Sequence, residues 1–203
     1  MIVGILLAAG MGRRFGGDKM LYPLQLDYEA SDKEGKSIAM GLQCALNLKP
    51  WVDQVVCVVR PQDEELIALF HKNGFTTYLS DNHLNGLSAS LVAGIQATLD
   101  LKMNARMWQV ALGDMPYIQP NSYQQIRDAI NNSKQDQIIQ PVFNNIPGHP
   151  VVFPHRLKEQ LLGLMGDEGA RSIVKLESKN VHKINVNDDG IHRDVDVKPA
   201  ALT

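Results

Sequence analysis

The sequence is poor in cysteine: Cys44 and Cys57 are the only two among 203 residues, in no C-x-x-C or zinc-type spacing. Thiols so placed exclude a disulfide framework and a cysteine metal centre, and read as small core residues. A basic surplus is missing as well. Lys and Arg number 20 against 22 Asp and Glu, a net charge of −2, which removes the bulk electrostatics that draw a protein to nucleic acid or to acidic membranes. No apolar run approaches the roughly 18 residues of a bilayer span. The opening run from Met1 has no basic residue before it, and Arg13 and Arg14 follow it, the reverse of a signal peptide. It reads as a buried strand, and the expected compartment is the cytoplasm. Low-complexity tracts and internal repeats are absent. With 44% hydrophobic and 21% charged residues the composition is that of a globular chain. At about 150 residues per domain, one domain over 1–203 is expected.

What is present is an alternation of short β-branched runs and helical patterns. Strands are expected at 2–7, 55–59, 76–79, 109–112, 138–142, 151–153 and 182–186. Helices are expected at 37–48, at 62–71 behind Pro61, and at 87–101, where Leu87, Leu91, Ile95 and Leu99 recur every four positions. The continuous apolar character of 2–7 and 55–59 indicates strands buried on both faces, as parallel sheets between helix layers require. The expected fold is a three-layer α/β/α sandwich around a Rossmann-like, mostly parallel sheet. Residues 27–36 and 144–148 read as loops.

Ligands of open α/β sheets sit beyond the carboxyl ends of the strands, so strand exits carry the functional reading. The first exit runs Leu7, Ala8, Ala9, Gly10, Met11, Gly12, Arg13, Arg14, Phe15, Gly16, Gly17, Asp18, Lys19. Small residues there let backbone N–H groups approach a phosphate, and the cations neutralise its oxygens. No Gly-Lys-Ser/Thr closes the loop and no glycine completes a G-x-G-x-x-G, so neither the Walker loop nor the dinucleotide fingerprint fits. The alternative is an ordinary glycine-rich turn. The second exit, Leu112, Gly113, Asp114, Met115, Pro116, delivers one carboxylate to the ligand edge, either a magnesium ligand or a turn aspartate capping the next helix. The alternating pair Asp194 and Asp196 is positioned to bring one more carboxylate to the same metal. No Ser-His-Asp or Cys-His pattern suggests a protein nucleophile. His149, after Gly148 at a strand start, faces an acceptor or phosphate, or else is a core or capping histidine. His71, His83, His155, His182 and His192 read as surface or structural, and Met11, Met20 and Met115 as packing residues.

Together these stretches resemble the nucleotidyltransferases of the molybdenum cofactor cytidylyltransferase type, within the wider superfamily of nucleotide-diphospho-sugar transferase fold. Ala8, Ala9, Gly10, Gly12, Arg14, Gly16 and Lys19 match the family's LAAGxGxRxGxxK signature. The run from Asn85 to Gly94 is similar to its G-L/M-x-x-S-L-x-x-G segment, and Gly113 to Pro116 to its GDMP motif. The stretches Gly148 to Phe153 and Gly166 to Arg171 resemble two further boxes. The chain departs from the family after Asp194 and Asp196, where the acidic residues that follow the proline are missing, and at 27–36, which is longer and more charged.

The resemblance implies attack by an acceptor phosphate on the α-phosphate of a nucleoside triphosphate, with Mg2+ on Asp114 and Asp196 and with Lys19 and Arg14 on the triphosphate. It implies nucleotide contacts from Leu7, Ala8, Ala9, Gly10, Gly12, Lys19, Asn82, Ser88 and Ser90, although a serine in a first helical turn is more often a cap. The Leu-Ala-Ala-Gly sequence matches the cytidylyl branch, where the guanylyl branch has Leu-Ala-Gly-Gly and a serine at the position of Gly12. The expected substrates are therefore CTP and molybdopterin, with a molybdoenzyme maturation partner conceivable. Alternatives are GTP or another phosphate-bearing acceptor, and a nucleotide-binding maturation protein without turnover. Neither nucleic acid nor membrane is expected as a partner.

Overall fold

The computed structural model describes residues 1–10, 12, 14–25, 37–81, 86–132 and 136–198. Among these residues there are ten strands, β1 (Ile2–Leu7), β2 (Pro23–Gln25), β3 (Ser37–Ala39), β4 (Gln54–Val59), β5 (Thr76–Leu79), β6 (Met107–Leu112), β7 (Ile138–Phe143), β8 (Ile146–Pro147), β9 (Val151–Pro154) and β10 (Val181–Asn185), and six α-helices. The helices are α1 (Met40–Leu48), α2 (Glu64–Lys72), α3 (Gly86–Asp100), α4 (Pro120–Asn132), α5 (Lys158–Leu162) and α6 (Arg171–Leu176). The main sheet has the order β10-β7-β9-β6-β1-β4-β5, with β8 pairing β7, while β2 and β3 form a separate hairpin. Strand β9 runs antiparallel to both β6 and β7, and β8 antiparallel to β7. The remaining main-sheet pairs are parallel, which is the expected mostly parallel sheet.

Strand β1 is central and buried along its whole length. Its alternate residues feed two cores. Leu6, with Cys57 and Val59 of β4, packs against Met40, Ala45 and Leu48 of α1 and Phe70 of α2. Val3, Ile5 and Leu7 pack against Leu91 and Ile95 of α3 and Leu161 of α5. Helices thus cover both faces of the sheet. Gly94 allows α3 to close on β1, because a Cβ there would stand 2.4 Å from Ile5 Cγ2. Cys44 and Cys57 are unpaired, buried core thiols. Met20 and Met115 are buried too, and Met11 lies outside the described residues. No helix among the described residues is long and apolar enough to cross a membrane.

Several expectations are corrected. Residues 37–39 are strand rather than the start of a helix, because Ile38 pairs with Leu24, a partner invisible to local periodicity. Helix α2 begins at Glu64 and not behind Pro61, since the Arg60 guanidinium binds the Asp63 carboxylate and holds 60–63 as a turn. The expected loop 144–148 contains β8. Asn144 and Asn145 both have positive φ, 51° and 64°, the two-residue hairpin geometry that asparagine tolerates. On α3, a four-residue spacing drifts around a helix of 3.6 residues per turn: Leu91 and Ile95 are buried while Leu87 is 37% exposed. Strand β10 ends at Asn185, one residue earlier than expected. Helices α4, α5 and α6 escape periodicity, α4 because its buried face is carried by only Ser122, Tyr123, Ile126 and Ile130. The loop 27–36 lies outside the described residues.

Candidate active site

The exits of β1 and β6 lie side by side at the carboxyl edge, where the Gly113 N–H donates to the Leu7 carbonyl at 2.9 Å. Cys44 Sγ donates to the Gly113 carbonyl at 3.2 Å, so α1 braces the Asp114 exit from beneath. Beyond β1 the chain turns tightly. The Phe15 and Gly16 N–H groups donate to the Gly12 carbonyl, and that of Lys19 to the Gly17 carbonyl. Gly12 has φ +53°, a left-handed conformation that glycine adopts without strain.

This turn drives the Lys19 side chain inward until it is only 7% exposed. Its Nζ lies 2.7 Å from Asp114 Oδ2 and 3.1 Å from Asp196 Oδ1, and the exposed Arg14 pairs with the other oxygen of Asp196 at 2.7 Å. Burial opposes the Lys19 charge, but the hydrogen bonds and charges of Asp114 and Asp196 outweigh it and hold the ammonium above its ordinary pKa. Asp196 is correspondingly held below the usual carboxylate range, by the Lys19 hydrogen bond first and by Arg14 in addition. Gly10, Gly12, Arg14, Lys19, Met20, Asp114 and Asp196 together line a cavity of about 310 Å3.

Asp114, Asp194 and Asp196 each offer an oxygen, and the three oxygens lie within 4.8 Å of one another. An oxygen-only, carboxylate-rich set of this kind suits a hard divalent cation such as Mg2+ or Mn2+. The expectation that Asp196 alone joins Asp114 is corrected, since both members of the pair converge. In an extended segment residues i and i+2 project to the same side, so an Asp-x-Asp spacing favours both carboxylates over one. Burial first, then the charges of Asp196 and Asp114, raise the Asp194 pKa. The capping alternative for Asp114 does not apply. Its carboxylate binds Lys19, and the start of α4 is served by Asp188, whose Oδ2 accepts from the Gln119 N–H at 2.9 Å and the Ser122 hydroxyl at 2.7 Å.

Asp188 is a site neighbour that pattern reading misses, because its partners Gln119 and Ser122 lie some seventy residues away in the chain. The segment it begins returns to the sheet edge through the Val195 N–H, which donates to the Asp114 carbonyl at 2.9 Å.

A second cavity, of about 540 Å3, is bordered by Asp194, Leu7, Leu112, Phe153, His149 and Arg171 among others. His149 is half-buried, its Nδ1 without a hydrogen-bond partner. Burial lowers its pKa. Leu7, Ala8 and Ala9 are buried, leaving their main chain at the ligand edge, whereas Gly10 is exposed. Ser90 is 5% exposed, in the second turn of α3. Ser88 is fully buried and committed elsewhere: its hydroxyl donates to the Met165 carbonyl and accepts from the Gly169 N–H. Asn82 and Arg13 lie outside the described residues. His155 stacks on Trp108, and His192 Nε2 lies 2.8 Å from the Ile146 carbonyl.

Solved structures share this architecture. A nucleotidyl transferase from Methanothermobacter thermautotrophicus is 17% identical, with a TM-score of 0.76 over 97% of this chain and 92% of its own. The Mycobacterium tuberculosis H37Rv protein Rv0371c, solved in complex with manganese, is 21% identical, with a TM-score of 0.65 over 91% and 88%. Molybdopterin-guanine dinucleotide biosynthesis protein A from Archaeoglobus fulgidus is 20% identical, with a TM-score of 0.60 over 92% and 84%. At these identities the likeness is one of fold. No curated protein matches the sequence closely enough to count as a relative. The family model for the MobA-like NTP transferase domain matches residues 4–183, and with the glycine turn, the buried lysine and the carboxylates at the sheet edge, the chain belongs to that family of nucleotidyltransferases.

Proposed function

We propose that this chain, as a single domain over residues 1–203, transfers CMP from CTP to the phosphate of molybdopterin and releases pyrophosphate. The observation that carries the reading is the buried Lys19 ammonium bridging Asp114 and Asp196 beside the Gly10 to Gly12 turn. An acceptor phosphate oxygen forms a bond to the α-phosphorus, and the bond from that phosphorus to the oxygen bridging to the β-phosphate breaks. Such transfer needs positioning and charge neutralisation rather than a protein nucleophile. Lys19 and Arg14 supply positive charge to the triphosphate, Lys19 by leaving its carboxylates for the phosphate oxygens. Asp114, Asp194 and Asp196 would hold Mg2+, which when bound would supply positive charge to the triphosphate.

The main chain of Leu7, Ala8 and Ala9 meets the pyrimidine, with Gly10 and Gly12 beside the phosphates and Ser90 toward base and ribose. The cavity bordered by Leu7, Leu112, Phe153, His149 and Arg171 supports a fused-ring acceptor carrying a phosphate, with apolar walls for the ring. His149 offers the acceptor a hydrogen bond from a ring whose pKa burial lowers. The resemblance of Leu7 to Gly10 to the cytidylyl branch supports CTP over GTP, and that of the whole chain supports molybdopterin over a sugar or alcohol phosphate.

The deciding experiment measures pyrophosphate release from each of the four nucleoside triphosphates, with and without molybdopterin, in the presence of Mg2+ or Mn2+. Release is expected with CTP and molybdopterin together. Preference for GTP, or for another phosphate-bearing acceptor, overturns the substrate assignment. Nucleotide binding without any release identifies a maturation protein that binds without turnover.

A further inference from the structure

We infer that Asp188 is a positioning residue that sets the divalent-metal affinity of the Asp114, Asp194 and Asp196 group, an inference that rests on reading that group as a metal site. The three carboxylates come from two distant parts of the chain, the β6 exit and the segment after β10. Nothing in either part alone fixes their separation. Asp188, 3% exposed, ties the two together. Its Oδ2 accepts from the Gln119 N–H and the Ser122 hydroxyl, on the stretch that leaves Asp114. Its Oδ1 accepts from the Gly190 N–H at 2.9 Å, on the turn that leads to Asp194.

The turn is seated against the β6 side with no slack. A Cβ on Gly190 would stand 2.3 Å from the Tyr117 carbonyl oxygen, so the two backbones touch. Downstream, the Val195 N–H reaches the Asp114 carbonyl at 2.9 Å, which seats Asp194 and Asp196 on either side of Val195 at that contact. Small divalent cations demand near-ideal ligand geometry. A carboxylate gripping both halves therefore transmits directly to the spacing of the metal-facing oxygens. Asparagine is nearly isosteric but offers one acceptor oxygen and an NH2 group. That NH2 must face either the Gly190 N–H or the Gln119 and Ser122 donors, and one side of the grip opens.

The test is a Mn2+ titration of the full chain without nucleotide, read by the free-ion electron paramagnetic resonance signal. Thermal unfolding of each variant establishes that it is folded at the titration temperature. The wild type is expected to bind one Mn2+ and Asp114→Asn to lose that binding. Asp188→Asn is expected to bind about 10- to 100-fold more weakly, the range for outer supports of metal ligands. A merely structural role lowers the unfolding temperature without moving the Mn2+ affinity of the folded protein. Wild-type affinity in Asp188→Asn, with binding lost in Asp114→Asn, overturns the role of Asp188 and leaves the metal reading standing. Undiminished binding in Asp114→Asn overturns the metal reading, and the role of Asp188 with it. If Asp188→Asn fails to fold, Ser122→Ala decides, since it removes one donor and keeps the other two. A rise in its dissociation constant upholds the proposal, and an unchanged value overturns it.

Discussion

Methionine at position 19 keeps an unbranched stem in the buried slot and deletes only the ammonium. In the wild type that group bridges Asp114 and Asp196 at 2.7 and 3.1 Å, so two effects follow from Lys19→Met. The first is catalytic. Removing one preorganised donor to developing negative charge costs about 10²- to 10³-fold in rate, about 3 to 4 kcal/mol.

The second effect is on stability. Breaking a fully buried pair costs about 3 to 5 kcal/mol, but Asp114 and Asp196 retain 22% and 35% of their side-chain exposure and rehydrate. Methionine also escapes the cost of burying a charge, which leaves about 1 to 2 kcal/mol. The sign with pH follows from the raised Lys19 pKa. Folding favours the protonated form, so the contribution is complete below the ordinary value of 10.5 and is lost as pH rises through the folded value. Steady-state pyrophosphate release at saturating CTP and acceptor measures the first effect, and urea unfolding at pH 7 and above pH 10.5 the second. Arg14→Ala is the contrast. Arg14 is 79% exposed, and its loss costs less than about 1 kcal/mol of stability. A Lys19→Met rate within about threefold of wild type, small against the loss of one such donor, refutes the assignment of Lys19 to the reacting phosphates. Wild-type stability at pH 7 refutes the reasoning on the carboxylates.

Asp114→Asn removes one of the converging carboxylates. It is expected to abolish divalent-dependent pyrophosphate release with the circular dichroism spectrum intact, and full activity at limiting Mg2+ contradicts it. For His149, burial lowers the pKa, so the unfolded chain takes up the proton first. The contribution of His149 is then present above its ordinary value of 6.5 and is lost as pH falls through the folded value. His149→Gln is therefore expected to flatten the fall in urea midpoint between pH 7.5 and lower pH, and an unchanged slope argues against it. Gly148→Ala sets a Cβ 2.5 Å from the Ile191 carbonyl oxygen, and the overpacking is expected to cost about 1 to 3 kcal/mol, read as a lower unfolding temperature. Gly12→Ser forces a side chain into φ +53° beside Lys19. It is expected to cost about 1 to 2 kcal/mol; paired with Ala9→Gly, it is expected to raise GTP use relative to CTP in a competition assay.

Local physics made much of this protein legible from its sequence. The apolar runs that became β1 and β4 are buried on both faces, as a parallel sheet between helix layers requires, and the small residues and Lys19 of the first exit line one cavity with Asp114. Asp114 stands at the end of a strand, so its delivery to the ligand edge is a consequence of local structure. What depends on distant pairing was not legible. The β3 strand exists because Ile38 meets Leu24, and α4 shows too few apolar residues to announce itself. Asp194 joins Asp114 and Asp196 only because the chain after β10 folds back and bonds Val195 to the Asp114 carbonyl. Asp188 reaches the start of α4 across the same return. Residue types and short-range periodicity are written in order along the chain. The distance between carboxylates some eighty residues apart is set by backbone hydrogen bonds and close packing between elements, which exist only once the sheet has assembled.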